Sequence, residues 1–373
     1  MRVLVRSDLN ASFTDGGIGS ADLWKLKSSI ATLDYLRKKG AAVIIIAHRG
    51  RPHGYDHNLS LAPIVARLSK LMQRPIPLWD DGLEEYGERA QALAPGAVVC
   101  LENIRFFHEE EKNGDLFAKK LARLGDAYVN DAFGDIHREH ASVAAITRHL
   151  PPYAGLLMEK ELKNLYGLLS RAKHPIVAII GGNKISTKIL LIKKLLRSVD
   201  WVLLGGALAN TVLSAMDYKI GRSIVEEDMR TWSRSILHNK LKVPLDARVA
   251  PSPSSKQSRF AAIGAVRNTE MILDLGPDTI EFYATIIRRS STVIWNGPVG
   301  YFEDARFAVG TNKLVEVIAG APGTAYVGGG ETVKAVLAQH AEKKIHFIST
   351  GGGAMLTLLE GRPLPALRAL IKK

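Results

Sequence analysis

Cysteine is almost absent from this chain. A single Cys100 among 373 residues excludes an internal disulfide and argues against a thiolate metal site, and cytoplasm is the expected compartment. Long apolar runs are missing too. No stretch approaches eighteen uncharged apolar residues, so no membrane span is expected, and Met1 to Asn10 lacks the apolar region and cleavage site of a secretory signal. Aromatics are sparse at 7%, and the basic residues are spread along the chain without a long run. The formal net charge of +13 therefore points to anionic small ligands on a basic surface more than to nucleic acid. No Gly-x-x-x-x-Gly-Lys occurs, which excludes a P-loop. No Gly-x-Gly-x-x-Gly follows a strand, which weakens a dinucleotide-binding reading.

What the chain does have is glycine in runs. Ile345 to Gly361 reads as a buried strand, three glycines, and a short helix closed by Gly361. Gly351, Gly352 and Gly353, with Thr350 in front, let a ligand reach bare backbone at the positive end of a helix. A phosphate is the expected guest, and a tight turn without a ligand is the alternative. The length allows two domains, each with its own core.

The first half alternates strands with helices. Val3–Arg6 leads to Asp8 and Asn10, then to a turn-rich segment from Asp15 to Gly19 and a helix over 21–39. The wholly apolar 41–47 run ends at His48-Arg49-Gly50-Arg51-Pro52. The 97–101 strand ends at Glu102-Asn103-Ile104-Arg105, and 127–129 leads to Asn130–Arg138. This grammar implies a parallel sheet with ligands beyond the strand ends. Arg6, Arg51, Arg105 and Arg138 would repel one another there unless an anion sits among them. Asp8 and Asn10 add hydroxyl-binding capacity, so a small hydroxylated phosphate or carboxylate is expected. His48 and His137 read as donors to that anion or as acid–base groups.

Pro151-Pro152 interrupts the pattern, and 156–169 reads as an amphipathic connecting helix. Beyond it, five strand ends become glycine-rich turns: Gly181-Gly182-Asn183-Lys184, Gly205-Gly206-Ala207, Asn296-Gly297-Pro298-Val299-Gly300, Gly328-Gly329-Gly330-Glu331-Thr332, and the triple glycine. These form a nucleotide-phosphate site built from backbone. Lys184 and Lys188, one turn apart, are expected to face the same phosphates. Glu331 is the candidate ligand for the Mg²⁺ that accompanies a nucleoside di- or triphosphate.

Longer motifs carry a resemblance. They include Val-Arg-Ser-Asp-Leu-Asn (5–10), His-Arg-Gly-Arg-Pro (48–52), Glu-Asn-Ile-Arg-Phe (102–106) and Val-Asn-Asp-Ala-Phe-Gly (129–134). Trp-Asn-Gly-Pro-Val-Gly-Tyr-Phe-Glu (295–303), Val-Gly-Gly-Gly-Glu-Thr (327–332) and Ser-Thr-Gly-Gly-Gly-Ala (349–354) continue the series. Collinear from Arg2 to about Leu367, they resemble the phosphoglycerate kinase family. The resemblance implies an α/β protein of two doubly wound parallel-sheet domains, joined by a connecting helix with a cleft between them. Residues 1–155 would bind 3-phosphoglycerate, 156–172 would connect, 173–363 would bind nucleotide, and 364–373 would pack back on the first domain. It implies phosphoryl exchange between 1,3-bisphosphoglycerate with ADP and 3-phosphoglycerate with ATP, in a cytoplasmic monomer with small-molecule partners, no membrane and no nucleic acid.

By position, Arg6, Asp8, Asn10, His48, Arg51, Arg105, His137 and Arg138 would hold the acid. Lys25, Lys184 and Gly351–Gly353 would serve the moving phosphoryl group. Gly182, Lys188, Gly205, Gly206, Asn296, Pro298, Gly329, Gly330, Thr332 and Thr350 would hold nucleotide, with Glu303 on the ribose and Glu331 on the metal. Several positions depart from the family pattern. Lys25 stands at the family's catalytic arginine, Glu331 at its magnesium-binding aspartate, Thr187 at an aspartate and Asp135 at a threonine. Asn183 replaces a small residue, Pro251 replaces an acid, and the leader before Arg2 is missing. The expectation is an active, slow kinase. A weak paralogue that binds these ligands for regulation is the alternative, and nucleic-acid or surface binding is a third reading supported only by net charge.

Overall fold

The computed structural model describes residues 1–14 and 17–371. Asp15 and Gly16 of the expected turn, and Lys372 and Lys373 of the expected returning tail, lie outside the described residues. The chain divides into two compact units, Met1–Tyr166 with Gly361–Lys373, and Gly167–Glu360.

The first unit is built on a six-stranded parallel sheet. Its order is Leu78–Trp79, Val98–Leu101, Ala42–Ile46, Arg2–Arg6, Ala127–Asn130, Pro152–Ala154. Side chains alternate across the sheet, so the apolar runs are buried on both faces. Val3, Val5, Val43 and Ile45 pack with Leu26, Leu33, Ile64 and Leu68, whereas Leu4, Ile44 and Ile46 pack with Phe117, Leu121 and Tyr128 on the opposite face. Connections diverge on either side of the Arg2–Arg6 strand, the place where such sheets open a crevice. The Pro365–Ile371 helix belongs to this unit: Leu364, Ala366 and Leu367 are buried, and the Ala366 N–H donates to the Ile136 carbonyl at 3.4 Å.

The second unit has a parallel sheet of its own, in the order Leu241–Lys242, Trp201–Leu204, Ile176–Ile180, Thr292–Asn296, Thr324–Gly328, Phe347–Ile348. The chain winds one way from Ile176–Ile180 and the other way from Thr292–Asn296. The switch therefore falls between these two central strands, at Gly181 and Gly297.

Three features differ from the sequence-based expectation. The helix expected over 156–169 is two segments, Leu156–Leu165 and Leu168–Arg171, because Gly167 between them takes a φ of 68°. Pro152 does not interrupt the fold. It begins the Pro152–Ala154 edge strand, where a missing N–H is tolerated. The second unit also holds a three-stranded antiparallel sheet that the strand–helix alternation does not predict, ordered Arg259–Ala262, Asp246–Ala250, Met271–Leu275, and its small core is formed by Ala247, Val249, Ala261 and Val266.

Candidate active site

In the first unit the strand ends bring Arg6, His48, Asp135 and Arg138 together. Arg6 is fully buried and all three of its nitrogens are engaged. Nε donates to Ser142 Oγ at 3.0 Å and Nη1 to the Ser7 carbonyl at 2.7 Å. Nη2 reaches Asp135 Oδ2 at 3.0 Å and His48 Nδ1 at 2.9 Å. Arginine only donates, so His48 Nδ1 accepts, and the neutral ring carries its proton on Nε2. Burial holds the His48 pKa below its ordinary value, against the pull of Asp135, and favours that neutral ring. His48 Nε2 is buried and has no protein partner among the described residues.

Two further donors share this condition. Arg105 Nη1 donates to the Gly50 carbonyl at 2.6 Å and Nε pairs with Glu111 at 3.2 Å, but Nη2 is buried without a partner, as is His137 Nδ1. Burial and the adjacent Arg138 charge depress the pKa of both Arg105 and His137. Clustered, desolvated donors of this kind are costly until an anion accepts from them. Arg51 is exposed, one residue beyond Gly50.

Asn10 fixes the same loops, for its Oδ1 accepts from the Gly50 N–H at 2.9 Å. Lys25, on the Ser20–Lys38 helix, turns its Nζ towards the Asn10 carbonyl at 3.4 Å and Asp8 Oδ2 at 3.5 Å. The Asp8 charge, outweighing burial, raises the Lys25 pKa and keeps the amine charged. Asn103, two residues before Arg105, has no role readable from the sequence and ties two loops together: its Nδ2 donates to the Arg49 and Leu59 carbonyls at 2.8 and 2.9 Å. Glu102 accepts from Ser60 Oγ and the Leu61 N–H ahead of the Ala62–Met72 helix. The sequence signal for both is their position directly after the Val98–Leu101 strand, ahead of Arg105.

The glycine turns of the second unit divide into two kinds. Some replace side chains that packing forbids. A Cβ on Gly205 would meet Val299 Cβ at 2.5 Å, one on Gly352 would meet the Gly329 backbone nitrogen at 2.6 Å, and one on Gly181 would strike the Pro298 carbonyl. Gly330 and Gly353 instead face open space at the starts of the Gly330–Ala338 and Gly352–Glu360 helices. The first N–H groups of those helices have no partner within the helix and carry its positive end. Gly351 is already committed, since its N–H donates to Ser349 Oγ at 3.2 Å.

Lys188 lies between these turns, donating to the Gly181 carbonyl at 2.7 Å and Asn296 Oδ1 at 2.9 Å. Burial lowers its pKa to about 8, while Glu331 pulls in the opposite direction. Asn296 Nδ2 in turn donates to the Gly328 carbonyl at 3.0 Å. Thr332 is fully buried, and its hydroxyl accepts from the Gly297 N–H at 2.8 Å, so it braces a turn. Pro298 contributes its carbonyl, which accepts from the Gly182 N–H at 2.9 Å. Gly206 borders a pocket with Asn183, Asn210, Leu275, Val299 and Tyr301. Glu303 is exposed on the loop beyond, and Thr350 is buried ahead of the triple glycine.

The expectation that Lys184 and Lys188 stand one helical turn apart and face the same way is corrected. The helix is Ile189–Ser198, so both lysines precede it in a turn closed by Thr187 Oγ1 on the Lys184 carbonyl at 3.0 Å. Lys184 is exposed there. Arg6 is held behind the donors of the first unit, its three side-chain nitrogens hydrogen-bonded within the protein.

Residues 1–362 match the family model for phosphoglycerate kinase. The chain is 43% identical to the cytosolic phosphoglycerate kinase of Triticum aestivum over 381 residues, covering 99% of this chain and 95% of that protein. It is 44% identical to the phosphoglycerate kinase of Desulforudis audaxviator (strain MP104C) over 377 residues, covering 99% and 96%. The structure is similar to that of phosphoglycerate kinase from Coxiella burnetii, with a TM-score of 0.85 and 35% identity over 99% of this chain and 95% of that one. Against the enzyme from Pyrococcus horikoshii OT3 the TM-score is 0.88, at 31% identity and the same coverage. The chain belongs to the phosphoglycerate kinase family.

Proposed function

We propose that this enzyme moves a phosphoryl group reversibly between ATP and the carboxylate of 3-phosphoglycerate. A carboxylate oxygen forms a bond to the γ-phosphorus while the bond from that phosphorus to the β–γ bridging oxygen breaks, giving ADP and 1,3-bisphosphoglycerate. The observation that carries the reading is a group of buried polar atoms at the strand ends of the first unit, among them His48 Nε2, Arg105 Nη2 and His137 Nδ1, that have no protein hydrogen-bond partner among the described residues. With Arg51, Arg138, Asp8 and Asn10 they form a site for a small hydroxylated polyanion.

The nucleotide phosphates are assigned to the second unit. Lys188, Lys184 and the open helix starts at Gly330 and Gly353 offer them charge and free N–H groups. Gly182, Gly205, Gly206, Gly329, Gly352, Asn296, Pro298 and Thr332 shape the turns, and Glu303 is assigned to the ribose. Among the described residues no group of three or more His, Cys, Asp or Glu could hold a metal alone. That fits Mg²⁺ arriving with the phosphates, since it commonly takes one or two protein carboxylates and completes its shell with phosphate and water. Glu331, exposed in the first turn of its helix, supplies such a carboxylate. The metal would neutralise phosphate charge when bound. Lys25 is assigned to the charge that develops on the transferring group.

No helix among the described residues is long and apolar enough to cross a membrane. We place the enzyme in the cytoplasm as a monomer with small-molecule partners. Calorimetry on Arg105→Ala and Lys188→Ala tests the assignment. The first should lose 3-phosphoglycerate affinity by about 1.5–3 kcal/mol with nucleotide affinity kept, and the second should show the reverse. Equal losses of both ligands in both variants would contradict it.

A further inference from the structure

The cations of the first unit already face an anion, and it belongs to the protein. Asp135 is buried between three basic side chains on three different segments. Arg6 Nη2 donates to its Oδ2 at 3.0 Å, His48 Nδ1 stands 3.3 Å from the same oxygen, and Arg138 Nε lies 3.0 Å from Oδ1. Burial opposes the charged carboxylate, but His48, Arg6 and Arg138 outweigh burial and hold its pKa well below the usual range. Asp135 is thus a fixed negative charge inside the group of donors assigned to the acid substrate.

We infer that Asp135 is a built-in counter-anion that sets the affinity and charge preference of this site. The inference rests on the function proposed above. Its carboxylate spends part of the positive charge of Arg138 and orders Arg6 behind the site. An incoming phosphate or carboxylate therefore meets a weaker field and a nearby like charge. The cost to the ligand grows with the ligand's own charge. In return the site is ordered in its free state, because Arg6 and Arg138 have an acceptor to turn to.

The test is calorimetry and steady-state kinetics on Asp135→Asn and Asp135→Ser. Asparagine keeps the shape and an acceptor for Arg6, and serine removes the charge by a different chemistry. Both variants should bind 3-phosphoglycerate about tenfold tighter, a gain of about 1.4 kcal/mol. The gain should be smaller for unphosphorylated glycerate, which carries less charge. KM for 3-phosphoglycerate should fall while KM for MgATP stays at the parent value, a split that a purely structural role would not produce. An unchanged or weaker affinity in both folded variants overturns the inference, with the proposed function intact if the parent binds 3-phosphoglycerate. If the variants instead gain affinity for inorganic phosphate but neither they nor the parent bind 3-phosphoglycerate, the counter-anion stands and the assigned substrate falls.

Discussion

Lys25 Nζ stands 3.5 Å from Asp8 Oδ2, turned inwards from its helix to the loop that follows the first strand. It also donates to the Asn10 carbonyl, 3.4 Å away. This lysine has a charge but no planar fork, so it offers the transferring group a point contact where a guanidinium would offer two parallel hydrogen bonds. Loss of a well-placed donor of this kind costs about 10²–10³ in turnover. Lys25→Ala should lower the single-turnover rate towards that range, and Lys25→Arg should raise it above the parent. Affinities should change little, since the contact belongs mainly to the transition state. Rates equal to the parent in both variants would remove Lys25 from the mechanism.

Lys188 gives a pH dependence with a definite sign. Its pKa of about 8 in the free protein lies below the ordinary lysine value because the amine is buried. A phosphate beside it favours the ammonium and raises that pKa. Nucleotide binding should therefore take up protons above about pH 8, and affinity should fall as pH rises through that value. Titration calorimetry at pH 8.5 in buffers of different ionisation enthalpy reads the uptake directly. Lys188→Met should abolish it. For folding without nucleotide the unfolded chain binds the extra proton between about 8 and 10.5, so this group's contribution to stability grows with pH across that window.

The two kinds of glycine should separate under mutation. Gly205→Ala drives a methyl into Val299 and should cost about 1–3 kcal/mol in denaturant unfolding. Gly353→Ala meets open space and should change stability by less than about 0.5 kcal/mol. Its penalty should show in nucleotide affinity, because the added methyl lies at a helix start assigned to phosphate. Equal stability losses in the two variants would refute the distinction.

Glu331 should matter only when the metal is present. Glu331→Ala should remove the Mg²⁺-dependent part of ADP affinity and leave metal-free binding near the parent value. Glu331→Asp should retain the dependence, because one or two carboxylates suffice for a Mg²⁺ held mainly by phosphate and water. A Glu331→Ala protein with the parent's Mg²⁺ dependence would take the residue out of the metal's shell.

Much of this architecture is legible in the sequence because burial on both faces writes strands as continuous apolar runs. Val43 to Ile46 and Ile176 to Ile180 are such runs, and glycine or arginine at their ends marks the edge where ligands bind. The antiparallel sheet is not legible because its strands do not read as apolar runs: Arg259–Ala262 buries only Ala261, and Asp246–Ala250, though largely buried, carries two charges. The roles within the site were less legible than its location. Arginine type and strand-end position marked Arg6 and Arg105 alike, yet Arg6 is sealed behind Asp135 while Arg105 keeps a free nitrogen. Only the packing of three segments distinguishes them. Lys184 and Lys188 show the same limit, since a four-residue spacing implies a shared face only when the helix has already begun.

The most direct test of the account is the rate at which the purified protein forms the acyl phosphate from 3-phosphoglycerate and MgATP, followed by a coupled reductive reporter. The account expects turnover that needs both substrates and Mg²⁺, rises in Lys25→Arg and falls in Lys25→Ala. No acyl phosphate above the enzyme-free background, from a protein that binds both ligands by calorimetry, would contradict it and leave a binding protein in place of a kinase.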